Sequence, residues 1–268
     1  MMIQEIMNRI ELPEAAQKNV LKYNNMSRKE FLEWKNLFEN NFEMFLSKCK
    51  KNQECYEWIL WFYLNLACEV YEQYHKKKIS EQIFDDTFTD ITIWCKEYYR
   101  KYRVYGLEEV AWIAKSIRME LFRLGRLQFE PIILKGEEAQ RYCLPDGEKV
   151  LNVHIPAGKK LDYMECQKSF EKARMFFGDK DIIFICDSWL LSPELCEILP
   201  ETSNIIRFQK MYKIMDVHYD FPQAEERVFG KIQTDKEKYP EGNSLQCGLK
   251  KYLLTGKKVG IGSGILQK

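Results

Sequence analysis

Three polar side chains stand where two predicted strands end, and all three are of types that exchange protons. Asp187 and Ser188 directly follow the apolar run at residues 181–186, and His154 lies near the end of the run at residues 149–155. Open α/β sheets bind their ligands at strand ends of this kind. An imidazole or carboxylate can accept a proton there, and a hydroxyl can return one. We predict Asp187, His154 and Ser188 as catalytic residues.

Each of the three also has a structural explanation that the sequence leaves open. His154 could be a hydrogen-bonded imidazole that fixes the chain ahead of Pro156. Asp187 and Ser188 are residue types that turns and helix caps favour. The sequence therefore indicates a candidate site without specifying its reaction.

Three arginines, Arg123, Arg126 and Arg207, lie in apolar surroundings, which is unusual unless an arginine is paired. A guanidinium can bind phosphate or carboxylate through two parallel hydrogen bonds. It could equally hold parts of the fold together through an acid such as Glu130. We favour the structural role.

The nine cysteines offer a different chemistry. Cys186 adjoins Asp187 and so resembles a nucleophile, but the sequence shows no base or positive charge that would activate it. Cysteines are odd in number, form no C-x-x-C pair and lie mostly in apolar runs, so we predict reduced, buried thiols. No H-E-x-x-H motif or paired Cys/His ligands occur, and we predict no metal site.

The second half of the chain supplies the elements that would position these residues. Residues 126–134 and 149–155 predict two strands joined by a polar hairpin connection. Asp162 predicts the N-cap of a helix that ends at Phe177, and residues 181–186 predict a buried strand. The remaining predicted elements are a short helix from Ser192, a strand over residues 204–214, a helix over residues 243–254 and a strand over residues 259–267. Residues 217–221 could either continue the strand over residues 204–214 or pair with it.

The first half predicts helix almost throughout. Ser27 and Glu30 form a capping box ahead of aromatic residues that recur every three or four positions. Further helices are predicted over residues 53–77, 80–102 and 107–124. We expect an all-helical domain over residues 1–124 and an α/β (α+β) domain with a mixed sheet over residues 125–268.

Composition excludes several classes of protein. The chain has 268 residues, 46% hydrophobic and 30% charged, with a net charge of +1. These values are typical of a folded globular protein, and the small net charge predicts neither a nucleic-acid nor a membrane partner. The most apolar stretch, residues 58–68, is too short to span a bilayer. No signal peptide is evident, and we expect a cytoplasmic protein.

Four segments carry a resemblance to a known family: LFRLGRLQF at 121–129, LNVHIPAG at 151–158, CDSWLL at 186–191 and SNIIRFQ at 203–209. Together they resemble a bacterial group of candidate acyltransferases. That group has a helical N-terminal domain and a C-terminal domain similar to the GNAT superfamily, the acetyl-CoA-dependent N-acetyltransferase fold. The resemblance implies acetyl-CoA or another acyl-CoA as cofactor and a small-molecule amine as acceptor.

The GNAT resemblance also implies a place for the cofactor. In that fold a central strand leads into a loop and helix that bind the CoA pyrophosphate, and the next strand diverges to leave a cleft. The corresponding loop here covers residues 156–161, with Gly158, Lys159 and Lys160 as cofactor-binding residues. GNAT enzymes usually carry Gln/Arg-x-x-Gly-x-Gly/Ala in this loop. This loop has one glycine, and the carboxylate of Asp162 at the helix N-cap would repel an anion.

The sequence leaves two main functions open. The first is direct acyl transfer to an amine, with Asp187 and His154 handling protons and Ser188 protonating the departing thiolate. The second is a non-catalytic binding or regulatory protein on a degenerate GNAT-like scaffold, which the poor phosphate loop favours. A cysteine-based hydrolase is a third hypothesis. Acyl transfer requires the strands that end at Ile155 and Cys186 to diverge.

Overall fold

A computed structural model describes residues 1–51 and 53–267 and divides the chain into two compact units. The first unit is Met1–Arg123, and the second begins at Leu124. Within the described ranges, no helix is long and apolar enough to cross a membrane.

The first unit is helical. Its helices are α1 (Ile3–Arg9), α2 (Glu14–Leu21), α3 (Arg28–Asn40), α4 (Phe42–Cys49), α5 (Cys55–Lys76), α6 (Glu81–Tyr102) and α7 (Val110–Ile117). The predicted capping box is present, because Ser27 Oγ accepts from the Glu30 N–H while the Glu30 carboxylate accepts from the Ser27 N–H. The apolar α5 is central and packs against α1, α2, α6 and α7.

Two predicted helices of this unit have different bounds in the structure. The aromatic stripe after Ser27 is shared by α3 and α4, which separate at Asn41, whose side chain accepts from the Met44 N–H and caps α4. The helix predicted over residues 107–124 is confined to α7. It ends before Met119, which has a φ of +59°, and the chain is extended from Phe122.

The second unit is built on a mixed sheet. Its strands are β1 (Phe122–Leu124, which crosses the unit boundary), β2 (Leu127–Ile133), β3 (Lys149–His154), β4 (Ile183–Ser188), β5 (Tyr212–His218) and β6 (Ile261–Leu266). The strand order is β1-β2-β3-β4-β6-β5. The β3–β4 pair is parallel, whereas β2–β3, β4–β6 and β5–β6 are antiparallel.

Helices of this unit connect and cover the strands. They are α8 (Gly136–Arg141), α9 (Tyr163–Phe177), α10 (Leu195–Ile198), α11 (Asn204–Gln209), α12 (Gln223–Phe229) and α13 (Ser244–Leu254). The predicted cap of α9 is confirmed, since the Asp162 carboxylate accepts from the Glu165 N–H at 3.0 Å. Helix α9 ends at Gly178, whose φ of +70° is the left-handed conformation that glycine adopts readily.

Two predictions for this unit are wrong. The segment predicted as a strand over residues 204–214 begins as helix α11, because Ser203 Oγ accepts from the Ile205 N–H and starts a helical turn. The predicted hairpin between β2 and β3 contains α8, a six-residue helix too short to show a clear periodicity.

The last strand, β6, lies inside the sheet between β4 and β5. Its glycines permit this position. A Cβ at Gly262 would lie 2.5 Å from the carbonyl oxygen of Leu191, which belongs to the 3₁₀ turn that follows β4. The segment Gly260–Gly264 is similar to a phosphate loop in composition, but from Ile261 onward it belongs to β6, and another part of the backbone passes close to it.

Candidate active site

The parallel strands β3 and β4 stop pairing before either of them ends. Their register in the described chain runs from Val150 opposite Ile183 to Asn152 opposite Ile185. Beyond that point β3 stays paired with β2 as far as His154, and β4 stays paired with β6 as far as Ser188. The two strands therefore diverge toward their carboxyl ends, as the acyl-transfer hypothesis requires.

His154 lies on the β3 side of this opening and pairs with a carboxylate. Its Nε2 is 2.9 Å from Oε2 of Glu130 on β2. The side chain of His154 is 23% exposed and that of Glu130 is 11% exposed, so the imidazole can reach solvent or a ligand while the acid is largely enclosed. A carboxylate in this position fixes the orientation of the ring through this hydrogen bond.

Asp187 lies on the β4 side and accepts two hydrogen bonds. One comes from the Tyr142 hydroxyl at 2.8 Å, and the other from the Ser263 hydroxyl on β6. Arg141 Nη1 lies 3.6 Å from the same carboxylate, whose side chain is 34% exposed. Burial, with a further contribution from Asp187, raises the pKa of Tyr142 far above its ordinary value. The phenol therefore remains a hydrogen-bond donor at neutral pH.

His154 and Asp187 share one face of the sheet. Side chains alternate between faces along a strand, and Asn152 and Ile185 are opposite each other. His154 and Asp187 each follow that pair by two residues. The structure thus places an imidazole–carboxylate pair and a hydrogen-bonded carboxylate on the same face, on opposite sides of the opening.

Ser188 lies on the other face. Its side chain is buried, and its Oγ accepts from the Leu190 N–H at 3.2 Å, capping the short turn after β4. The structure therefore brings together two of the three predicted catalytic residues. The position of Ser188 matches the capping explanation that the sequence left open.

The predicted cofactor loop connects β3 to α9. Gly158, Lys159 and Lys160 are exposed, and Gly158 has a φ of +98°. Neither lysine forms an ion pair with a described residue. The buried Arg126 contacts this loop from the protein interior. Its guanidinium donates to the carbonyl oxygens of Pro156, Lys159 and Lys160 at distances of 2.9, 2.8 and 3.0 Å.

The structure does not support a catalytic role for the other candidates from the sequence. Burial raises the pKa of Cys186 far above its ordinary value, which disfavours a nucleophilic thiolate. Arg207 is exposed on α11, with its guanidinium 4.4 Å from the centre of the Tyr163 ring. Five of the nine cysteines are buried and none forms a disulfide. In the described part of the chain, no group of three or more His, Cys, Asp or Glu side chains could hold a metal ion.

Four residues of this face were missed by sequence reasoning as parts of the site: Glu130, Arg141, Tyr142 and Ser263. Arg141 ends the unpredicted helix α8 and Tyr142 follows it. The alternation Gly-Ser-Gly at residues 262–264 was a usable signal, because a strand that pairs with β4 sends every second side chain to one face. The sequence suggests Glu130 as a partner of an arginine, and nothing in it points to His154.

Comparison with known proteins identifies the family. Residues 121–266 match the family described as "GNAT-like C-terminal domain". The chain belongs to this GNAT-like family. Its residues 1–119 match the "N-acyltransferase N-terminal domain", so the resemblance seen in the sequence is confirmed, as is the fold class.

Solved structures agree with this assignment at the level of the fold. An acyltransferase in complex with decanoyl-CoA has a TM-score of 0.80 and 21% identity, over 98% of this chain and 86% of that chain. An acyltransferase in complex with decanoyl-CoA and teicoplanin has a TM-score of 0.77 and 20% identity, over 98% and 86%. A search of curated proteins found no match. The GNAT-like chain therefore has an acyltransferase fold.

Proposed function

We propose that this GNAT-like protein transfers an acyl group from acyl-CoA to the amine of an acceptor, without a covalent enzyme intermediate. The observation that carries the proposal is the divergence of β3 and β4, with His154 and Asp187 on one face at the opening. The solved acyltransferases of the same fold were captured with decanoyl-CoA, octanoyl-CoA or CoA, which supports acyl-CoA as the donor.

The loop before α9 can accommodate the phosphates of acyl-CoA. It presents two exposed lysines and one glycine in the left-handed conformation ahead of a 15-residue helix, whose N-terminus favours an anion. The Asp162 carboxylate opposes this at the first turn, where it occupies the Glu165 N–H. Gly158, Lys159 and Lys160 would therefore bind phosphate on the loop side of Asp162.

In the proposed reaction, bound acyl-CoA supplies an activated carbonyl carbon as its thioester. The acceptor amine attacks this carbon, the carbon–sulfur bond breaks, and the amine loses one proton while the departing thiolate gains one. His154, oriented by Glu130, accepts the amine proton. This pair is the better candidate for the base because Asp187 already accepts hydrogen bonds from Tyr142 and Ser263.

Asp187 has a complementary role in this proposal. A carboxylate held in place by two hydroxyl donors can orient an ammonium or amine by electrostatic attraction at little cost in reorganisation. Ser188, predicted as the donor to the thiolate, lies on the opposite face and caps a turn. The proposal therefore gives the thiolate its proton from solvent or from the protonated His154, and leaves Ser188 in its structural role.

Two measurements test the proposal. Thermal stability is followed during titration with acetyl-CoA, octanoyl-CoA and decanoyl-CoA, since a ligand at 100 times its Kd adds about 2.7 kcal/mol of stability. Acylated product is then sought by mass spectrometry with a panel that spans small amines and amine-bearing glycopeptides. Absence of stabilisation by every acyl-CoA at millimolar concentration would refute the proposal in favour of a non-catalytic scaffold.

A further inference from the structure

The loop that is proposed to bind phosphate is held by a buried arginine. Arg126 follows Gly125, whose φ of +87° turns the chain into β2, and the arginine is 7% exposed. Its Nε, Nη1 and Nη2 each donate to a carbonyl oxygen of the loop between Pro156 and Lys160. Each nitrogen of the planar guanidinium thus donates to the same short segment of backbone.

These contacts determine which way the loop amides point. Every described peptide bond is trans, and in a planar trans peptide the N–H points away from the C=O of the same unit. The three carbonyls turned toward Arg126 therefore direct the N–H groups of Ala157, Lys160 and Leu161 away from it. Within the described chain, none of these three N–H groups donates to a protein acceptor.

The backbone of Arg126 is attached to the helix that follows the loop. Its N–H donates at 2.9 Å to Ser169 Oγ, which in turn donates to the Glu165 carbonyl inside α9. Arg126, directly ahead of β2, thereby contacts both the loop and the first turns of α9. The relative position of loop amides and helix N-terminus depends on this residue.

We propose that Arg126 is a positioning residue for the phosphate-binding loop, doing the work that a second glycine does in the usual GNAT loop. The inference rests on the proposed function. A glycine-rich loop exposes its amides because its backbone is free to adopt the required conformation. In this chain the loop has Gly158 and two lysines, and its outward amides are imposed by three charge-assisted hydrogen bonds from the interior.

The test compares two donors that differ in their phosphates. Wild type, Arg126→Lys and Arg126→Met are assayed with an acyl-CoA and with the same acyl group on pantetheine, which has no phosphate. Because Arg126 acts on phosphate binding, the variants should lower kcat/KM for acyl-CoA by about tenfold or more, equivalent to 1.4 kcal/mol. Their kcat/KM for acyl-pantetheine should change less than twofold. Arg174→Lys is the matched control, because Arg174 lies on α9, the helix that Arg126 contacts, and its guanidinium stacks on Phe184.

The outcomes separate this inference from the proposed function. A wild-type protein that uses neither donor would remove the proposed function. If the wild type is active and the variants lose activity equally with both donors, Arg126 has a general structural role and the inference is overturned. Retention of the wild-type preference for acyl-CoA overturns it as well.

A second measurement on the wild-type protein applies if the variants do not fold. Amide signals of Ala157, Lys160 and Leu161 are followed by NMR during titration with CoA and with pantetheine. We expect CoA to shift these three signals and pantetheine to leave them in place. Equal responses to the two ligands, or no response to CoA, would contradict the inference.

Discussion

The two ends of the β3–β4 pair differ in backbone pairing and in the charge of the residues around them. At their amino ends the strands are paired and border a cavity of about 530 Å³, whose lining includes Asp146, Glu148, Asp179 and Asp181 against a single lysine, Lys149. At their carboxyl ends the strands diverge, and the exposed Lys159 and Lys160 and the face that carries His154 and Asp187 lie there. An acyl-CoA is an anion, so charge favours the carboxyl end over the acidic cavity at the amino end.

The backbone hydrogen bonding of β3 and β4 also differs between the two ends. Where β3 and β4 are paired, their peptide groups are used by the ladder. Past Asn152 and Ile185 the two strands no longer pair with each other. Peptide groups on their facing edges can therefore bind an extended ligand.

The largest effect is expected at the proposed base. His154→Gln should lower kcat by about 10² to 10⁴, the range contributed by general base catalysis, while the KM for acyl-CoA stays within about twofold. His218→Gln is the matched control, because His218 forms an exposed pair with Asp220 on β5. Steady-state kinetics measure both. Activity near the wild-type level in His154→Gln would remove the imidazole from the mechanism.

A smaller effect is expected at the acceptor side. Asp187→Asn removes the charge but preserves the shape, and should lower kcat/KM for the amine by about 10 to 100-fold through lost electrostatic orientation. The corresponding change at the amino end, Asp181→Asn, should leave activity within about twofold. Kinetics at varied amine concentration distinguish the two. If Asp187→Asn and Asp181→Asn lowered kcat/KM equally, the carboxyl end of the strand pair would have no special role in binding the amine.

The phosphate-loop lysines should matter less. Lys159→Ala combined with Lys160→Ala is expected to raise the KM for acyl-CoA about fivefold, with kcat unchanged, because exposed charges contribute modestly and are screened by salt. The difference from wild type should shrink as ionic strength rises. Lys149→Ala, at the opposite end of β3, is the control. If Lys149→Ala raised the KM for acyl-CoA as much as the double variant, the proposed location of the phosphates at the carboxyl end of β3 would be wrong.

The smallest expected effect is on stability at high pH. The pKa of Tyr142 is raised in the folded state by burial and by Asp187, above the ordinary value of 10.0. The unfolded chain therefore loses this proton first, and stability falls as pH rises above that value. Tyr142→Phe should reduce the slope of unfolding free energy against pH by at most about 1.4 kcal/mol per pH unit.

Urea unfolding at about pH 9 and about pH 11 measures this slope. The exposed Tyr99 gives the matched variant, Tyr99→Phe. Slopes that are the same in Tyr142→Phe and wild type would show that the phenol does not keep its proton against Asp187 in the folded state.

Local signals in the sequence were sufficient for much of the architecture. The capping box at Ser27, the Asp162 cap and the terminating Gly178 act through neighbours only three or four residues away, so their positions could be predicted without the fold. The family resemblance was also readable, because it depends on short segments such as residues 151–158 and 186–191.

Two other segments were predicted wrongly because their apolar pattern or their length did not distinguish a helix from a strand or a turn. Residues 204–209 carry apolar side chains suited to a strand, yet the Ser203 cap begins a helix there. The connection with α8 was too short for periodicity to show, and it is this connection that brings Tyr142 to Asp187.

By itself, the sequence determined the two kinds of secondary structure along the chain, the family, and His154 and Asp187 as candidates at strand ends. Only the tertiary structure decided that β6 enters between β4 and β5 and places Ser263 against Asp187. It likewise decided that Glu130 contacts His154, that Ser188 faces away, and that Arg126 reaches the loop 30 to 34 residues later. The reason is that caps and turns are set by adjacent residues. Strand register and long-range hydrogen bonds join residues far apart in the sequence, and the residues next to either partner do not indicate the other.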